Sequence, residues 1–95
     1  MKVPDRAEIE RILEEIKEPE TGASIKEMGI VKAVDYVPNS KSLIIYVDFK
    51  SRMPSCAACV PIAWKIQESI IRRLAEAFKR YEDVKEVVIK EFQRV

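Results

Sequence analysis

The hydrophobic period changes once along this chain, and that change restricts the fold more than any other feature. From Ser42 to Phe49 the residues alternate, with Leu43, Ile45, Val47 and Phe49 on one face and Tyr46 and Asp48 on the other. This is the period-two pattern of a strand with one buried side. Further on the spacing becomes four, with Ile62, Ile66, Ile70, Leu74 and Phe78 widened by Ala63, Ile71 and Ala77, the stripe of an amphipathic helix. A one-faced strand and a one-striped helix bury their apolar sides by packing layer on layer.

The flanking segments complete the pattern. Pro4 to about Lys17 reads as a helix: Pro4 suits a first turn, Asp5 and Glu8 suit the positive end, and Ile9, Ile12, Leu13 and Ile16 form a stripe that Pro19 terminates. Ser24 with Glu27 matches a capping box, and Gly29 can close a short helical turn in the left-handed conformation. Ile30 to Val37 predicts a strand, Pro38 to Lys41 a hairpin turn, and Val84 to Phe92 a third strand. The expected fold class is α+β, a two-layer α/β sandwich in the order α-β-β-α-β, with a small mixed sheet and helices on one face. A chain of 95 residues closes one core, so 1–95 reads as one domain. For the long helix, Pro61 fits a first helical position and leaves both cysteines in the preceding loop, whereas a start near Ser55 would bend it at a proline; the later start is preferred. Trp64 reads first as core packing and alternatively as part of a partner surface.

Charge and composition exclude several function classes. The net charge is +1 with acids and bases interleaved, so neither nucleic acid nor an anionic membrane is an expected partner. Apolar runs such as Leu43 to Val47 are too short to span a bilayer, and the N-terminus lacks the basic, apolar form of a leader, which points to a cytoplasmic protein. The chain has no histidine, which removes the usual general base and the mixed Cys/His zinc sites.

Reactive side chains meet unusual backbone only in Met53-Pro54-Ser55-Cys56-Ala57-Ala58-Cys59-Val60-Pro61. A thiol at or just before a helix N-terminus is drawn toward the thiolate by the helix dipole and free N–H groups, and Arg52 and Lys50 add positive charge. Such a thiolate attacks disulfides, takes a soft metal or holds iron in a cluster. The spacing of Cys56 and Cys59 equally suits two small apolar fillers beside Ala57 and Ala58. Two thiols cannot complete a four-thiolate site, so ligation needs a homodimer, each copy giving Cys56 and Cys59, or an outside thiol. A second patch, Glu18-Pro19-Glu20-Thr21-Gly22, reads first as a chain stop and alternatively as a carboxylate loop beside the thiols.

Two blocks carry a family likeness. Ile16-Lys17-Glu18-Pro19-Glu20 followed by Ser24-Ile25-Lys26-Glu27-Met28-Gly29-Ile30-Val31 looks like an Asp-Pro-Glu segment and the turn into a first strand. Val47-Asp48-Phe49 through Met53-Pro54-Ser55-Cys56, then Ile62 and Ile66, looks like a loop holding a characteristic cysteine. Over nearly its whole length the chain resembles the iron-sulfur cluster assembly domain family. That family includes bacterial SufT, PaaD of aromatic-ring oxygenase systems, and the eukaryotic cytosolic factor of the iron-sulfur targeting complex. Glu18 stands where the family has aspartate, Ser51 and Arg52 where threonines are common, and Cys59 is an addition to the single family cysteine.

The resemblance implies assembly or delivery of clusters to client apoproteins rather than enzymatic turnover. It makes Cys56 the family thiol, holding an iron-sulfur cluster or iron transiently, with Cys59 as a second thiolate and Glu18, Glu20 and Arg52 in support. The implied partners are an assembly scaffold or ATPase and client apoproteins. Two rival readings are an adaptor without metal and a C-x-x-C thiol oxidoreductase. The second lacks the βαβ opening in which a thioredoxin-like motif sits.

Overall fold

The computed structural model describes residues 3–19, 21–50 and 57–92. Its elements are α1 (Arg6–Glu15), a single-turn α2 (Ile25–Met28), β1 (Val31–Val37), β2 (Ser42–Val47), a 3-10 turn (Ala57–Cys59), α3 (Val60–Phe78) and β3 (Glu86–Glu91). The sheet order is β1-β2-β3, with β1 antiparallel to β2 and β3 parallel to it. The α+β class, the mixed sheet and the helices on one face are as the sequence predicts.

Each helix start has a local cause. Asp5 caps α1 in a complete capping box, accepting from Glu8 N–H at 2.8 Å while the Glu8 carboxylate accepts from Asp5 N–H. Ser24 Oγ accepts from Glu27 N–H at 3.0 Å and donates to the Glu27 carboxylate, and Gly29, at φ 64°, closes α2 in the left-handed region. α1 is shorter than the predicted 4–17, because Pro4 and Asp5 precede its first turn and Ile16 is already extended.

The core is one cluster drawn from every layer: Leu13 of α1, Ile25 of α2, Leu43, Ile45 and Val47 of β2, Ile70, Leu74 and Phe78 of α3, with Ile30 and Val84 at the loops. The predicted inward face of β2 is thus the buried one. Its register sets Ile45 between Val34 of β1 and Ile89 of β3, and Val34 and Ile89 pack on the same cluster. β2 ends at Val47, so Phe49 flanks the core from outside the strand rather than within it, and β3 runs from Glu86, two residues later than predicted.

The helical stripe departs from prediction at its first turns. Ile62 is 61 % exposed, Trp64 60 % and Ile71 37 %, so none of them is core. Length explains Ile62: the nineteen residues of α3 span about 28 Å, whereas six residues of β2 or β3 span about 20 Å. The helix therefore overhangs the sheet. Trp64 lies off the stripe, by about 200° of helical rotation from Ile66, and Ile71, expected to widen the stripe, stands instead at its exposed margin. The expectation that Trp64 packs in the core is corrected accordingly.

Candidate functional site

Cys59 is the N-cap residue of α3. Its backbone is already helical, at φ −88° and ψ −14°, because the 3-10 turn leads directly into Val60. The helix starts one residue before the predicted Pro61, and that proline takes a first-turn position where its missing N–H leaves no helical bond unmade. Cys59 therefore belongs to a helical entry rather than to an open loop. It is exposed, forms no disulfide, and its side chain makes no capping hydrogen bond, so its sulfur is available to an incoming group.

Ala57 and Ala58 beside it are exposed, as are Pro61, Ile62 and Trp64 on the first turns of the helix. A filler role for Cys59 is excluded by this exposure. The thiol instead stands exposed at the entry to the helix. Cys56, Glu20 and Arg52 lie outside the described residues.

The root of the cysteine loop is tied to β3. The Glu91 carboxylate accepts from Phe49 N–H and Lys50 N–H, both at 3.2 Å, and Phe92 N–H donates to the Val47 carbonyl at 2.7 Å. Glu91 thus fixes where the chain leaves β2 on its way to the cysteines. Sequence reasoning missed this residue, since its partners are about forty positions away and no local pattern marks it.

Glu18 is fully buried, with 0 % exposure. Its Oε1 accepts from Thr21 N–H at 2.8 Å, its N–H donates to Ala23 O at 2.9 Å, and its carbonyl accepts from Gly22 N–H at 2.7 Å. Gly22 at φ 74° and the Lys17–Ser24 bridge close the loop. The carboxylate organises its own turn.

Glu18 and Pro19 also line a cleft with Lys65, Ile66, Glu68, Ser69, Arg72 and Arg73 of α3. These positions begin about 9 Å along the helix axis from Cys59. Among the described residues that line the cleft Cys59 is absent. The structure therefore sets Glu18 beside the second to fourth turns of α3.

Among the described residues no three Cys, Asp or Glu side chains converge into a metal-holding group. A single exposed thiol cannot by itself close a four-coordinate site. No described helix is long and apolar enough to cross a membrane. Comparisons with protein-family models and with curated proteins return no match to this chain.

Proposed function

We propose that this chain is a cytoplasmic iron-sulfur assembly or delivery factor. It holds iron or a cluster transiently on Cys56 and Cys59, passes it to client apoproteins, and turns over no substrate of its own. The observation that carries the reading is the exposed Cys59 thiol at the α3 entry, uncommitted to any cap. A donor that must surrender its cargo needs a sulfur within reach of another protein and an incomplete ligand set, so that incoming thiolates displace it. In the exchange each thiol loses its proton on binding iron and regains one as the client thiolate replaces it. The two sequence blocks that resemble the SufT-like and PaaD-like family support the same reading.

The adaptor reading has one observation in its favour: Trp64 is about three-fifths exposed on α3 and shares a helical line with Ile71, seven residues on and also exposed. Such a surface fits a scaffold, an assembly ATPase or a client whether or not the thiols carry iron. Anaerobic reconstitution with iron and sulfide separates the two. The carrier reading predicts thiolate-to-iron absorption that is lost in Cys56→Ser and weakened in Cys59→Ser. A colourless wild-type protein without bound iron contradicts the carrier reading and favours the adaptor.

A further inference from the structure

β3 is an edge strand. It pairs with β2 on one side, and among the described residues no strand pairs with the other. Glu86 and Phe92 donate their N–H groups toward β2 and its turn, so at period two Val87 and Ile89 turn theirs to the open edge. The side chains alternate with the same period, between the two faces of the sheet. Val87 and Ile89 pack against the core but stay partly exposed, while Glu86, Val88 and Lys90 stand on the opposite face of the sheet, level with Ser42, Ile44 and Tyr46.

An edge with three consecutive apolar residues is open to further pairing. Charges on such an edge usually prevent it. Here their order does the reverse. In Lys85-Glu86-Val87-Val88-Ile89-Lys90-Glu91, an antiparallel pairing of the segment with itself about Val88 sets Glu86 opposite Lys90 twice, Val87 opposite Ile89 twice, and Val88 opposite Val88. The same register makes Val87 and Ile89 the hydrogen-bonded pair, as their outward N–H and C=O groups require. Registers centred on Val87 or Ile89 also satisfy the backbone, but they set Glu86 and Lys90 against apolar residues. Lys85 and Glu91 also oppose one another, although the Glu91 carboxylate is engaged by Phe49 and Lys50 N–H groups.

We propose that the open edge of β3 is an interface between two copies of this chain, joined antiparallel about Val88 into a continuous six-stranded sheet. The half-exposed Val87 and Ile89 then gain the partner's Ile89 and Val87 on the core side. The inference does not rest on the thiol chemistry, but it constrains it. The chain enters α3 from the end of β2 and returns from α3 to the start of β3, so Cys59 lies toward the C-terminal end of the parallel pair. Antiparallel joining sends the two Cys59 thiols to opposite ends of the sheet. They cannot share one cluster, so the remaining ligands come from scaffold or client.

The test is sedimentation equilibrium over a concentration series for wild type, Glu86→Lys, Lys90→Glu and the double exchange, with far-UV circular dichroism to confirm folding. Each single reversal places like charges opposite at two positions and should weaken the dimer by about tenfold or more, and the double exchange should restore it. Independently, Val88→Cys in a Cys56→Ser/Cys59→Ser background should cross-link to a covalent dimer under mild oxidation, since directly opposed side chains on such a pair fall within disulfide reach. A protein that stays monomeric throughout and does not cross-link at position 88 overturns the proposal, as does a dimer indifferent to the reversals. Because the cross-linking variant lacks both native thiols, this outcome is independent of whether iron is bound.

Discussion

The Thr21 N–H donates a 2.8 Å hydrogen bond to Oε1 of Glu18, a carboxylate with no exposed surface. Removing the acceptor strands a backbone donor inside a closed turn, so Glu18→Ala should cost about 1–3 kcal/mol. Glu18→Gln keeps an acceptor oxygen and should cost less. Urea unfolding of the two variants measures the difference. Because Glu18 lines its cleft with Ile66 and Ser69 rather than with Cys59, the folded Glu18→Gln protein should bind iron as wild type does.

Tyr81 joins the ends of the helical layer, its hydroxyl donating to Glu8 Oε2 at 3.0 Å. Burial first, then the hydrogen bond and the negative charge of Glu8, hold its phenol above the ordinary value of 10.0. The folded state retains the proton at pH values where the unfolded chain releases it. The stabilisation is therefore complete below pH 10 and declines as pH rises through the folded value. Tyr81→Phe should be less stable near neutrality by about 1 kcal/mol and should lose less of its stability between neutral and alkaline pH. Thermal unfolding across that range shows both effects.

The Glu91 carboxylate holds two backbone N–H groups at the root of the cysteine loop. In Glu91→Ala the amides of Phe49 and Lys50 should exchange with solvent roughly tenfold faster, while Glu91→Gln, with one acceptor oxygen left, should fall between. Hydrogen exchange resolved by residue tests this, with the amides of β2 as internal controls.

The layers of this fold were legible because its period switch, caps and hairpin turn are local signals. Ser24 and Gly29 close α2 as their chemistry dictates, and Leu43, Ile45 and Val47 face inward as alternation requires. Periodicity could not reveal that α3 is longer than the strands beneath it, so Ile62 was assigned to a core that ends before it. Trp64 was assigned by residue type, although its helical angle already sets it apart from Ile66. The thiol segment was legible as chemistry, but the placement of Glu18 along α3 and the hold of Glu91 on Phe49 are tertiary facts that no spacing encodes.

Trp64 is the chain's one tryptophan and is 60 % exposed, so its fluorescence should be red-shifted and readily quenched by acrylamide in the folded protein. Trp64→Ala should change stability by no more than about 0.5 kcal/mol. It should nevertheless weaken association with a client or scaffold, where a large aromatic anchor contributes strongly. A blue-shifted, protected emission from the isolated protein would show that the residue is covered.

Cargo transfer tests the central claim most directly. Wild type, Cys56→Ser and Cys59→Ser, each reconstituted anaerobically, would be mixed with an apo-ferredoxin acceptor while visible circular dichroism follows acquisition of its cluster. The account predicts that wild type loads the acceptor faster than free iron and sulfide, that Cys56→Ser abolishes the acceleration, and that Cys59→Ser reduces it. A wild-type protein that retains no iron and leaves the acceptor's loading rate unchanged would contradict it.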